Sequence, residues 1–212
     1  MSTVSAGDVR PPRTKWLTLI KRQKEIFKWK LRGKPAPPPH SVKVAIISRL
    51  ARLHACRSLI ETGTFKGDMV ARTRHLFERI YTIEIDSRLH AAACVRFQDD
   101  PAVFLLHGDS TYILPELVDQ LGEPALFWLD GHYSGGETGK GDLETPIQRE
   151  VECILQPSQL AHVLLIDDAR LFDGTGDYPT LSSLRERLAS LRPDYSFAIE
   201  NDIIRFEPPT LG

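Results

Sequence analysis

The feature that most constrains this chain is a unit that recurs from residue 41 onward: a short apolar run ending in polar or acidic residues, then a segment of helical periodicity. The runs are SLIET at 58–62, RIYTIEI at 79–85, AVFLLHG at 102–108, ALFWLDG at 125–131 and HVLLIDD at 162–168. Between them, apolar residues recur at helical spacing in VAIISRLARLHA, MVARTRHLFERI, SRLHAAACVRF, TYILPELVDQL and TPIQREVECILQ. Strands that alternate with helices must pair in parallel, because each helix carries the chain back to the same end of the sheet. Strands this apolar require cover on both faces. A last helical pattern near 181–191 precedes YSFAIE and DIIRFEP, which read as a hairpin around Glu200–Asn201–Asp202 and suit an antiparallel edge. The expected fold class is α/β, a doubly wound, mostly parallel sheet flanked by helices, with a C-terminal antiparallel hairpin and an N-terminal helical arm.

A chain of 212 residues with 42% hydrophobic content fits one globular domain plus an appendage. The appendage is visible in the charge. Residues 1–40 hold ten Lys/Arg against Asp8 and Glu25, and the remaining residues carry 17 basic against 26 acidic groups, so a net charge of −1 conceals a basic arm on an acidic body. In the arm, WLTLIKRQKEIFKWKLR repeats Trp16, Ile20 and Phe27 at helical spacing beside Leu19 and Ile26. Pro35, Pro37, Pro38 and Pro39 cannot continue that helix and form a stiff connection, which places the domain boundary near residue 40 (arm 1–40, body 41–212). Two readings of the helix stand side by side: attachment through residues 15–32 to an anionic membrane surface or acidic partner, or packing of its apolar stripe on the same chain or a second subunit. No run approaches the roughly 18 to 20 apolar residues of a membrane span, and no signal peptide is apparent, so the expected location is cytoplasmic. Cys56, Cys94 and Cys153 lack the spacing of a zinc or redox site and are expected as buried free thiols.

In an open parallel sheet, ligands bind beyond the carboxyl ends of the strands. The first end reads Glu61-Thr62-Gly63-Thr64-Phe65-Lys66-Gly67-Asp68, where Gly63 and Gly67 permit a tight turn and close backbone approach. The second supplies Glu84 and Asp86; Glu84 lies 23 positions after Glu61, the distance at which nucleoside-binding folds grip ribose hydroxyls. The third is Gly108-Asp109-Ser110. Glu84, Asp86 and Asp109 are equally well placed as helix caps.

This ordered set, Glu61-Thr62-Gly63 with Gly67, then Ile83-Glu84-Ile85-Asp86, then Gly108-Asp109-Ser110, resembles the motifs of class I S-adenosylmethionine-dependent methyltransferases over about residues 41–206. The resemblance implies a Rossmann-like fold with S-adenosylmethionine as cofactor. Glu61, Gly63, Thr64, Phe65 and Gly67 would then lie at the methionine end, Glu84 at the ribose and Asp109 with Ser110 at the adenine, with Asp130 nearby. Phe65 stands where many members have a middle glycine. A nicotinamide dinucleotide site needs that glycine for its pyrophosphate, which favours the methyl donor.

The remaining ends, Leu129-Asp130-Gly131-His132-Tyr133 and Leu165-Ile166-Asp167-Asp168-Ala169, bring carboxylates without obvious basic partners to adjacent strands. Mutual repulsion among them would be relieved by a hard divalent cation such as Mg²⁺. The arrangement resembles metal-dependent small-molecule O-methyltransferases of the catechol and macrolide or aminocoumarin sugar types, which implies Asp130, Asp167 and Asp168 as metal ligands and His132 as general base. Helix capping by Asp167, pairing of Asp168 with Arg170 and loop anchoring by His132 are the structural alternatives. The glycine-rich stretch 133–142 fails the Walker A pattern at Ser134 and Gly141 and reads as a loop over the acceptor. The expected activity is O-methylation of a small-molecule hydroxyl. Rival readings are a non-catalytic binding module and a nucleic-acid or protein methyltransferase using the arm; the acidic body disfavours nucleic acid. A homo-oligomer is compatible with the sequence.

Overall fold

The computed structural model describes residues 13–131, 145–155 and 160–210, with side chains from residue 20 onward. Two helices, α1 (Arg13–Leu31) and α2 (His40–Leu53), precede β1 (Ser58–Thr62). There follow α3 (Asp68–Thr73), β2 (Arg79–Glu84), α4 (Ser87–Phe97), β3 (Val103–His107), α5 (Ser110–Asp119), β4 (Ala125–Leu129), α6 (Ile147–Leu155) and β5 (Val163–Ile166). The chain closes with α7 (Leu181–Leu191), β6 (Ser196–Glu200) and β7 (Ile203–Glu207).

The seven strands form one sheet in the order β3-β2-β1-β4-β5-β7-β6. The first five are parallel, in registers such as Glu61 beside Thr82 and Trp128, whereas β7 runs antiparallel between β5 and β6. The expected strands and terminal hairpin are all present. Asn201 and Asp202 both take positive φ, 54° and 65°, which matches the right-handed twist of a two-residue hairpin turn. MVARTRHLFERI departs from its pattern: α3 is only six residues long, and Arg74–Leu76 tighten into a 3-10 turn. The Glu78 N–H already bonds Arg57 O, so the segment must straighten to enter β2 beside β1.

Alternating strand residues feed two cores. Ile60, Ile83, Phe127, Leu129 and Leu164 pack on one face beneath α5, α6 and α7. Leu59, Ile80, Leu126, Trp128 and Leu165 face the other way, beneath α2 and α3. Each such fully buried aliphatic side chain contributes roughly 1.5–3 kcal/mol, which makes the centre of the sheet the rigid frame of the molecule. The arm joins the second core. Trp29 is 7% exposed, packs with the apolar face of α2 and donates from Nε1 to Pro35 O at 2.8 Å. α1 therefore packs a stripe of Trp29 and Ile26 on its own chain, while Phe27 and Leu31 stay exposed. Of the three thiols, Cys56 is buried and held up at about 12 by that burial, whereas Cys94 and Cys153 are only half-buried, against expectation. No helix among the described residues is long and apolar enough to cross a membrane.

Candidate active site

The strand order makes β1 and β4 neighbours from which the chain winds outward in opposite directions, and this switch point is where an open α/β sheet leaves a crevice. Gly63 lies at the end of β1 with φ +83°, and a Cβ built on it would stand 2.9 Å from the Asp130 carbonyl carbon at the end of β4 and closer still to its oxygen. Only glycine lets the two strand ends approach this closely. After Gly63 the chain turns through Thr64–Gly67, closed by Gly67 N–H to Thr64 O at 2.8 Å. Gly67, at φ +73°, leaves room for the Phe97 ring, which an added Cβ would meet at 2.6 Å. Phe65 takes a left-handed φ of 48° and is partly exposed.

Acidic groups line this crevice. Glu61 is 1% exposed and accepts a hydrogen bond of 2.6 Å from Thr82 Oγ1, which also lies 2.6 Å from Thr64 Oγ1. Burial lifts its carboxyl to about 8, the bond from Thr82 pulls the other way, and the Asp130 and Glu84 carboxylates add to the rise. Glu84 accepts from Phe65 N–H at 2.7 Å on one oxygen and from Asp86 N–H at 2.9 Å on the other. Those two bonds fix its plane and tie the end of β2 to the turn after β1.

Asp86 is used as a cap: its Oδ1 accepts from the N–H groups of Arg88 and Leu89 that open α4. Asp109 caps α5 in the same way, accepting from Thr111 N–H at 2.8 Å and Thr111 Oγ1 at 2.7 Å, both on Oδ1. The Ser110 hydroxyl is turned inward and donates to Glu150 Oε1 at 2.7 Å, so the side chain is spent on the core rather than presented to a ligand.

Asp130, Asp167 and Asp168 converge as the strand order requires: each offers a carboxylate oxygen within 4.8 Å of the others. The expectation that they lack basic partners is corrected at Asp167, whereas Asp168 takes the Arg170 partner that stood as its structural alternative. Lys43, from the first turn of α2, pairs with Asp167 Oδ2, and Arg170 donates to Asp168 Oδ1 at 2.7 Å and also pairs with Asp202. Burial pulls the Lys43 ammonium down, but Asp167, Asp130 and Asp168 together outweigh it and hold the pKa above its ordinary value. Burial raises the Asp167 carboxyl, with Asp168 adding to the rise and Lys43 opposing it. Asp167 Oδ1 and Thr62 Oγ1 are buried without a hydrogen-bond partner among the described residues. Asp168 adopts a left-handed φ of 54°. His132 and the stretch 133–142 lie outside the described residues.

Lys43 and Glu150 were missed in the sequence although each leaves a signal there. Lys43 shares a helical stripe with Ile46, Ile47 and Leu50, and Glu150 one with Ile147, Val151 and Ile154. A charge on an apolar stripe must meet a partner when the stripe is buried.

No family model and no curated protein matches the sequence. Solved structures do. The O-methyltransferase TomG from Streptomyces achromogenes, in complex with SAM, is similar over 90% of this chain and 89% of its own, at 20% identity and a TM-score of 0.57. An O-methyltransferase from Bacillus cereus in complex with SAH matches 94% of this chain and 93% of its own, at 16% identity and a TM-score of 0.56. The SAH-bound methyltransferase PaMTH1 from Podospora anserina covers 99% of this chain and 100% of its own, at 16% identity and a TM-score of 0.54. These likenesses are of fold: the chain shares the Rossmann-like α/β architecture of these solved methyltransferases.

Proposed function

We propose that the protein is an S-adenosylmethionine-dependent methyltransferase acting on a hydroxyl of a small-molecule acceptor. The observation that carries this is the switch-point crevice, where Gly63 clears the backbone of Asp130 and Glu61, Glu84 and Asp130 surround the opening with carboxyl groups. The Glu84 and Asp130 carboxylates repel a pyrophosphate and attract a ligand bearing an ammonium and a sulfonium, and such a cation favours ionisation of Glu61 as well. Phe65 in the turn agrees, because a dinucleotide needs bare backbone there.

In this reading the Thr64–Gly67 turn holds the methionine end against Glu61. Glu84, its plane set by Phe65 and Asp86, accepts from the ribose hydroxyls. Asp109 keeps Oδ2 for the adenine amine after spending Oδ1 on the cap, and Ser110 contributes its backbone N–H.

Three carboxylate oxygens within 4.8 Å, with Asp167 Oδ1 buried and without a hydrogen-bond partner among the described residues, fit a small divalent cation. Asp130, Asp167 and Asp168 would hold it, and when bound it would make the acceptor hydroxyl more acidic. Lys43 engages Oδ2 of Asp167 and Arg170 engages Oδ1 of Asp168, which restrains the orientation of both carboxylates beside the candidate cation site. The acceptor oxygen bonds the methyl carbon as the carbon–sulfur bond breaks, S-adenosylhomocysteine leaves, and the hydroxyl proton passes to a base. His132, two residues beyond Asp130, is the candidate base on its place in the sequence.

The test separates binding from transfer. Glu84→Ala should weaken S-adenosylhomocysteine binding by about tenfold or more, whereas His132→Ala should retain affinity and abolish methyl transfer to hydroxylated acceptors screened with labelled S-adenosylmethionine. Equal binding losses in both variants contradict these roles.

A further inference from the structure

Outside the crevice the charge reverses. α1 lies so that a groove of about 760 Å³ opens between it and the adjoining parts of α3 and α4. Lys21, Lys24 and Lys28 of α1, which share a helical face, form one wall, and Arg72 and Arg96 face them. The acids of the lining are Glu25 and Asp68, and Arg96 already engages Asp68 at 2.8 Å. Among the described residues no carboxylate makes a salt bridge to Lys21, Lys24, Lys28 or Arg72. Six cations, Lys21, Arg22, Lys24, Lys28, Arg72 and Arg96, gathered around one concavity against only two carboxylates, give it a positive potential.

The groove adjoins the crevice at two points. Arg96 donates to the carbonyl of Lys66 inside the Thr64–Gly67 turn. His40, which opens α2, feels Arg72 and Asp68 of the groove together with Lys43 and Asp167 of the carboxylate cluster. The groove and the turn after β1 therefore share the stretch 66–68.

We infer that this groove binds a phosphate-bearing small molecule and, on the reading that the crevice holds a methyl donor, that it seats the phosphorylated end of the acceptor. Lys21, Lys24, Lys28 and Arg72 neutralise the phosphate oxygens, while Arg96 keeps Asp68 from repelling them. A concave seat suits a compact anion better than a membrane surface, and the exposed apolar residues of α1, Phe27 and Leu31, do not line it. An extended nucleic acid would meet the acidic body beyond the groove.

The test titrates inorganic tripolyphosphate into the full chain, wild type against Lys24→Gln/Lys28→Gln and a control, Lys30→Gln/Lys34→Gln, that removes equal charge from exposed positions of the same segment. Saturable binding is expected, weakened about tenfold or more by the groove pair and less than about twofold by the control. S-adenosylhomocysteine affinity, measured on the same samples, should stay unchanged in both. Equal losses from the two pairs, no saturable binding, or phosphatidylserine vesicles or RNA that bind and are not displaced by tripolyphosphate would each overturn the groove. Groove-dependent tripolyphosphate binding without S-adenosylhomocysteine binding would sink the methyl-donor reading alone, and the reverse pattern would sink the groove alone.

Discussion

The crevice and the groove meet at Gly67–Asp68 and carry opposite charge for different structural reasons. In the crevice, acids sit at strand ends, where the sheet dictates their positions and burial keeps water from screening them; Glu61 and Asp167 are both held above their ordinary carboxyl range by that burial. In the groove, Lys21, Lys24 and Lys28 stand on the exposed side of a helix attached through Trp29 and Ile26, and where α1 packs decides that they face Arg72 and Arg96. A net charge of −1 says nothing of either. Local sign, not net charge, sets ligand preference, and on the proposed readings the crevice takes a cationic ligand and the groove an anionic one.

The largest expected effect strikes the buried charges of the crevice. Lys43→Met strands Asp167 beside Asp168 and should cost about 3–5 kcal/mol in chemical denaturation, much of it recovered when Mg²⁺ is added, because the cation replaces the lost positive charge. A cost that Mg²⁺ leaves unchanged would break the assignment of the three carboxylates as one cation-accepting group. Next is Gly63→Ala. A side chain at φ +83° against the Asp130 backbone should lower S-adenosylhomocysteine affinity by about a hundredfold, while Gly33→Ala, at φ +80° in open space, should leave it within about twofold.

Smaller, and more diagnostic, is the pH dependence of Glu61. Its folded pKa of about 8 lies above the ordinary 4.5, so the stability tied to its proton is fully present below the unfolded value and is lost as pH rises through about 8. Glu61→Gln should flatten that decline in melting temperature between pH 5 and 9. Because a ligand ammonium favours the carboxylate, wild-type affinity for S-adenosylhomocysteine should climb by up to about tenfold per pH unit and level off above about 8. An affinity that is flat across this range would remove Glu61 from contact with the ligand.

How much of this was legible in the sequence depended on whether a signal was local. Each strand announced itself by an apolar run with a polar terminus, and the parallel order followed from the intervening helices. The converging ends of β1, β4 and β5, and with them Asp130, Asp167 and Asp168, came from the same rule. What escaped were contacts that only the fold creates: Lys43 reaching Asp167 across 124 positions, Ser110 turned onto Glu150, and Trp29 buried across the proline run. Asp86 and Asp109 were legible as either caps or ligand contacts. The structure uses both as caps and leaves Oδ2 of Asp109 outside the capping bonds.

The central claim is that the switch-point crevice accepts a cationic adenosyl cofactor. Parallel calorimetric titrations of the wild-type protein with S-adenosylmethionine and with NAD test it most directly. Saturable S-adenosylmethionine binding in the micromolar range, with no heat from NAD, is the predicted result. NAD binding in place of S-adenosylmethionine, or a folded protein that binds neither, would contradict it.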